Sequence, residues 1–258
     1  MLYDHVIEKK YGRVTVITLN RPKALNSLHT AAHFELEEVF NAFAADDEQW
    51  VAIVTGAGER AFCAGHDLKQ QASGGGLDLP AHGFAGLTAR FDLSKPIIAA
   101  VNGLAMGGGF EIALACDIIV ASESAYFALP EPRVGLAAVA GGIQRLPQEI
   151  GLKRAMGMML TGRRVSAREA LAFGFVNEVV VDDVVEAAQR WADDILACSP
   201  MSVRATKEAV LRGLTVPVAT SLVEEWEYPA MGAMFASEDA VEGPQAFANK
   251  RPAQWKGR

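Results

Sequence analysis

Half of the 258 residues are hydrophobic and 21% are charged, the balance of a chain that buries a core, which excludes intrinsic disorder as its organising theme. A formal net charge of -7 argues against a ligand recognised by neutralising phosphates along a backbone, so no nucleic-acid partner is expected. Cys63, Cys116 and Cys198 are odd in number and show no CxxC spacing, which points to reduced thiols in the cytoplasm rather than a disulfide framework or a zinc ribbon.

The amino terminus, Met1-Leu2-Tyr3-Asp4-His5, has no basic stretch leading into an apolar run, so no signal peptide is expected. Arg13 to Leu19 alternates β-branched with polar or small residues and predicts a half-buried strand, with Val6-Ile7 as its neighbour. After the turn signal Asn20-Arg21-Pro22-Lys23, a helix is predicted from Leu28 to Ala45, with Leu28, Ala32, Leu36, Val39, Phe40 and Phe43 on one face and Asn26 or Ser27 as its cap. Val51 to Val54 and Ile97 to Val101 predict short buried strands ending at glycine-containing turns. Between them, Ala72 to Pro80 is rich in Gly and Ser and reads as a mobile loop and candidate lid. Ile97 to Ala121 is the only stretch apolar enough to suggest a membrane span, but Asn102, Glu111, Asp117 and four glycines interrupt it, so it reads as protein core and no membrane partner is expected. From Lys153 onward the pattern is mostly helical, with one strand at Glu178 to Val181 and three or four helices between Asp182 and Asn249, punctuated by Pro200, Pro217 and Pro229. No repeat of fixed period is visible. The fold class is therefore α/β with an all-helical tail.

Three stretches carry chemistry. Gly107-Gly108-Gly109-Phe110-Glu111 follows a predicted strand and opens an apolar helix, where bare glycine backbone lets a ligand approach unpaired N–H groups at the positive end of the helix dipole. It lacks the Gly-Lys-Ser/Thr of a phosphate loop and the spacing of GxGxxG. Glu111 lies in an otherwise apolar helical run, where an ionised carboxylate is costly without a partner or a task. Glu131, between Pro130 and Pro132, is a second acid in a rigid loop, and two positioned carboxyls can share base and acid duties on one water. Around Gly65, the segment Ala61 to Lys69 offers further backbone N–H groups that can complete a two-point oxyanion hole with Gly108. His66 has no second ligand at metal spacing, and His29 and His33, four apart on a predicted helix, lack the Glu of HExxH, so no metal is expected. Cys63 has no identifiable base, so it is not read as a nucleophile.

In order and spacing these blocks resemble the crotonase superfamily, the enoyl-CoA hydratase and isomerase group, over essentially the whole chain. The likeness rests on Arg21-Pro22-Lys23-Ala24-Leu25-Asn26, on Cys63 to Lys69, on Lys95 to Glu111 with its glycine run, and on Leu129-Pro130-Glu131. It implies a spiral of ββα turns over residues 1–195, holding CoA and the active site, and a helical oligomerisation region over residues 196–258 that builds homotrimers or dimers of trimers. It implies that the amides of His66 and Gly108 bind the thioester oxygen, that Glu111 activates water for the β-carbon and that Glu131 delivers a proton to the α-carbon. Lys23, Ala24, Leu25, Ala64, Asp67, Leu68 and Lys69 match positions that embrace CoA, and Lys250 matches one that reaches CoA on a neighbouring subunit. The implied partner is an acyl-CoA thioester, with CoA as part of the substrate and no separate cofactor.

Within that family, Gly83 to Thr88, Phe127 to Glu131, Ser237 to Pro244 and Trp255 to Arg258 resemble the carnitinyl-CoA dehydratase branch. That branch is expected to carry tryptophan where this chain has His66, which leaves open whether the acyl group is a plain enoyl chain or crotonobetainyl. Related isomerases and dehalogenases place an aspartate at the position of Val139, and valine neither titrates nor attacks, which speaks against both reactions. A hydroxyacyl-CoA hydrolase and a non-catalytic CoA-binding protein remain as alternatives.

Overall fold

The computed structural model describes residues 3–74 and 78–258. Strands β1 (Val6–Tyr11) and β2 (Val14–Leu19) form an antiparallel hairpin. They are followed by α1 (Thr30–Ala45), β3 (Val51–Gly56), β4 (Ala61–Cys63), α2 (Leu68–Ala72), β5 (Ile97–Val101), β6 (Leu104–Met106), α3 (Gly108–Ala115), β7 (Ile118–Ser122) and β8 (Tyr126–Ala128). Next come α4 (Gly142–Ile150), α5 (Leu152–Thr161), β9 (Val165–Ser166), α6 (Ala167–Phe173) and β10 (Glu178–Val180). Helices α7 (Val184–Leu196), α8 (Pro200–Gly213), α9 (Val218–Glu224), α10 (Pro229–Ala236) and α11 (Glu238–Ala248) complete the chain.

The strands divide between two sheets. One has the order β1-β2-β3-β5-β7-β10 and is parallel from β2 onward; the other has the order β4-β6-β8-β9, parallel through β8. Each of the units β3-β4-α2, β5-β6-α3 and β7-β8-α4 lays its first strand in the large sheet and its second in the small one, which makes the architecture a spiral of ββα turns. Those turns begin at Val51, Ile97 and Ile118, and this uneven spacing is why the sequence shows no fixed period.

Both faces of the large sheet are buried along its central strands β3 and β5. Ile17, Leu19, Ala52, Val54, Ile97, Ala99 and Val101 face the main core with the apolar side of α1. Val14, Val16, Val51, Ile53, Ile98, Ala100 and Val120 face Val184, Ala187, Ala188 and Ala192 of α7. A strand covered on both sides needs apolar side chains at every position, so β3 and β5 read as continuous hydrophobic runs.

Several sequence expectations need correction. The cap of α1 is His29, whose Nδ1 accepts the amide of Ala32 at 3.2 Å, and not Asn26 or Ser27. The helix starts no earlier because Leu28 bridges to His66, while Asn26 adopts φ 55 and spends its side chain on the Arg21 amide and the carbonyls of Ala57 and Ala61. The β4, β6, β8 and β9 strands, of two or three residues, are too short to show alternation. Residues 75–77 of the predicted loop lie outside the described residues, and its first residue, Ala72, closes α2 instead. The tail holds five α-helices rather than three or four: Pro200 and Pro229 sit in first turns, where a missing N–H costs nothing, and the added break before α11 is made by Ser237, which caps it. Among the described residues no helix is long and apolar enough to cross a membrane.

Candidate functional site

The three short parallel strands set the site. With Cys63 opposite Ala105 and Met106 opposite Ala128, the loops leaving β4, β6 and β8 emerge side by side at their carboxyl ends, where open parallel sheets place ligands. There they line a cleft of about 1390 Å³ that includes His66, Gly108, Glu111 and Glu131.

Close packing of bare backbone holds the first two loops together. Gly65 has φ 87, and a Cβ on it would lie 2.8 Å from the Met106 carbonyl oxygen and 3.0 Å from the Gly108 nitrogen. A Cβ on Gly109 would overlap the Cys63 carbonyl, and one on Gly108 would overlap the ring of Phe84. Neither the His66 amide nor the Gly108 amide, the first of α3, donates a hydrogen bond among the described residues. Two unspent N–H groups thus belong to residues that line one cleft, and such groups can stabilise charge developing on a carbonyl oxygen.

The two acids line the same cleft. Glu111, in the first turn of α3, is 3% exposed, and its Oε1 accepts the Gly142 amide at the start of α4 at 2.9 Å. Burial pushes its carboxyl up to about 7, against the lowering effect of that N–H, and the neighbouring Glu131 pushes the same way. Burial also raises Glu131, whose Oε2 is buried without a partner among the described residues. Its Oε1 rests against Gly107, where a Cβ would come within 2.8 Å, and the φ of 54 at Gly107 favours glycine in any case. A carboxyl near 7 exchanges protons readily in neutral solution, as a general base or acid must.

The other predicted positions divide. Lys23 and Ala24 lie on a 3-10 turn that ends at Leu25, with φ 53, and the Ala64 amide donates to the Leu25 carbonyl at 3.0 Å, so the two stretches meet beside the cleft. Ala64 and Leu68 line it. Lys23 and Lys69 are exposed. Asp67 pairs with Arg21 at 3.0 Å and accepts the Lys69 amide at 3.2 Å. Lys250, past the end of α11 with φ 52, stands outside the cleft lining of this chain. The Cys63 thiol is buried and pushed up to about 12 by that burial, which makes it inert.

Sequence reasoning missed Gly142, Phe84 and Arg145. The glycine pair at positions 141 and 142 was the available signal for the first. Phe84 packs over Gly108, and Arg145 donates to the Thr88 carbonyl at 2.8 Å, tying α4 to the turn that carries Phe84.

The sequence model of the enoyl-CoA hydratase/isomerase family matches residues 9–258. A carnitinyl-CoA dehydratase of Proteus mirabilis is 46% identical over 252 residues, covering 96% of each chain, and one from Citrobacter koseri is 45% identical over 258 residues, covering 96% of this chain and 97% of its own. Among solved structures, an enoyl-CoA hydratase from Mycobacterium tuberculosis superposes with a TM-score of 0.92 at 37% identity over 98% of this chain and 99% of its own. One from Bacillus anthracis gives 0.90 at 39% identity over 99% and 100%.

Proposed function

The chain belongs to the enoyl-CoA hydratase/isomerase family, and from that premise we propose that it is a hydro-lyase that adds water reversibly across the double bond of a 2-enoyl-CoA thioester. The observation that carries the reading is the pair of buried acids, Glu111 and Glu131, on the same cleft as the unspent amides of His66 and Gly108. Ionised Glu111 takes a proton from water as its oxygen bonds to the β-carbon. The π electrons move toward the thioester oxygen, where the two amides hold the developing charge more tightly than they hold the ground-state carbonyl. Protonated Glu131 then delivers its proton to the α-carbon, and the carbonyl re-forms. The two carboxyls restore their starting states by exchanging a proton with solvent. The addition neither oxidises nor reduces the substrate, so the reaction needs no cofactor beyond the CoA that the thioester carries.

Lys23 and Lys69, beside the cleft on an acidic protein, suit the phosphates of CoA. The exposed Leu214, Val218, Leu222, Val223, Trp226 and Phe235 of the tail are apolar surface suited to burial in a homotrimer or a dimer of trimers. In that assembly Lys250 reaches the CoA of a neighbour. Free thiols suit a cytoplasmic enzyme.

A second substrate reading is favoured by the identity of 46% to a protein named carnitinyl-CoA dehydratase: the acyl group is then crotonobetainyl. Purified protein is mixed with crotonyl-CoA and, separately, with crotonobetainyl-CoA, and the enoyl-thioester absorbance is followed with Glu111→Gln as control. Fast loss with crotonyl-CoA is the expected result, and a strong preference for the betaine assigns the second reading. Silence with both, while CoA thioesters still bind, overturns the proposal.

A further inference from the structure

The proposed reaction leaves one buried imidazole without a task. His33, on α1, is 0% exposed, and its Nδ1 accepts the Ala85 amide at 3.0 Å. A ring accepting at Nδ1 carries its proton on Nε2, which has no partner among the described residues. Burial first, and then the imidazoles of His66 and His29, push His33 down to about 3, so the ring is neutral at working pH.

Its surroundings give that ring two outlets. On one side it meets the ring of Phe84 edge to face, with centroids 4.4 Å apart, and Phe84 occupies the space over Gly108. On the other it lies parallel to the ring of His66 within 14°, with centroids 6.3 Å apart. Ala85, whose amide it receives, is itself held at φ 58, in the left-handed region that alanine rarely enters, and is 1% exposed. Without an acceptor that buried amide would be unsatisfied, and the turn would lose its reason to hold this conformation.

We infer that His33 is a positioning residue for the oxyanion hole: one imidazole on α1 braces the Phe84–Ala85 turn against Gly108 and supports the ring of His66, fixing the spacing of the two amides. The inference rests on the proposed role of those amides. A leucine at position 33 fills the space without accepting the Ala85 amide, whereas the Oδ1 of asparagine stands close to the place of Nδ1 and does accept it.

The test therefore compares His33→Leu with His33→Asn. His33→Leu lowers kcat by about tenfold or more and leaves the Kd of the thioester nearly unchanged, because the lost interaction belongs to the transition state. In the Glu111→Gln background, where bound crotonyl-CoA is not consumed, His33→Leu moves the infrared carbonyl stretch of the bound thioester toward its value in water. His33→Asn retains most of the rate and the bound-state frequency. The background protein with His33 intact tests the hole itself: no change of frequency on binding overturns the proposed role of the amides. If that change is present and His33→Leu keeps it in full, the role of His33 alone is overturned. Equal loss of rate in both variants with an unaltered frequency also overturns it, since that is the result of packing alone. If His33→Leu does not fold, Phe84→Leu carries the same test, and a folded Phe84→Leu with native kcat and frequency overturns the proposal.

Discussion

Replacing Glu111 by glutamine is expected to make the protein more stable and far less active, both for the same reason. Its carboxyl, 3% exposed, titrates near 7 in the folded chain against an ordinary value of 4.5. Between those values the folded state keeps a proton that the unfolded state has released, so unfolding free energy falls as pH rises through that window and stays low above it. The interval, at about 1.4 kcal/mol per pH unit, amounts to about 3 kcal/mol. Glutamine carries no charge and its Oε1 still accepts the Gly142 amide, so Glu111→Gln recovers most of this near pH 8 and almost none near pH 4. For a chain of this size about 3 kcal/mol corresponds to a rise in Tm of roughly 6–12 °C. Removing a general base lowers hydration by about 10²- to 10⁴-fold. Thermal unfolding of both proteins at the two pH values and one protein concentration, with the crotonyl-CoA assay alongside, reads both effects. A gain in Tm that is the same at both pH values refutes the desolvation argument, and near-native turnover refutes the assignment of Glu111 as base.

For the native protein, kcat/KM is expected to rise about tenfold per pH unit on the acid side up to the Glu111 value of about 7 and to fall again as Glu131, whose proton the α-carbon receives, ionises; an acid limb centred near 4.5 instead would refute the burial-raised base. Gly65→Ala, placing a methyl group 2.8 Å from the Met106 carbonyl and 3.0 Å from the Gly108 nitrogen at a φ of 87, is expected to lower kcat about 10²-fold in a folded protein, and unchanged turnover would remove Gly65 from the hole. Asn26→Ala breaks bonds to the Arg21 amide and to the carbonyls of Ala57 and Ala61 and is expected to cost about 2–3 kcal/mol in denaturant unfolding; a loss within error of zero contradicts that count. Lys69→Ala is expected to raise KM a few-fold at low salt with kcat intact and to matter less as salt is added, and a fall in kcat alone would argue against contact with the CoA phosphates.

Much of the scaffold was legible because its core positions obey simple periods. Continuous apolar runs marked β3 and β5, and the 3.6-residue pattern from Ala32 to Phe43 marked the buried face of α1. Glu111 was legible as an anomaly, a carboxyl in an apolar helix, and Glu131 by its flanking prolines. What stayed hidden depends on contacts distant in sequence. The cap of α1 falls at His29 because Leu28 is held by His66 across the fold, which no local cap preference reports. The partner of Glu111 is the amide of Gly142, 31 residues away, and the role of His33 requires knowing that the Ala85 amide reaches it, 52 residues along the chain.

The spiral also explains why the site could be recognised in pieces although no repeat was visible. Each turn ends a short strand of the small sheet, β4, β6 or β8, and later passes through a glycine of positive φ: Gly65 at 87°, Gly107 at 54° and Gly141 at 107°. The residue after each glycine, His66, Gly108 or Gly142, brings an N–H that no main-chain carbonyl takes up among the described residues. The first two amides are unspent and suit a developing oxyanion; the third is bonded to Glu111. The repeated element is thus a backbone device of one glycine and one N–H, and it leaves the surrounding side chains free to differ from turn to turn. A device carried by the main chain has no side-chain period to detect. Its trace in the sequence is the glycines alone, and they read as a site only once the strands before them are known to lie side by side.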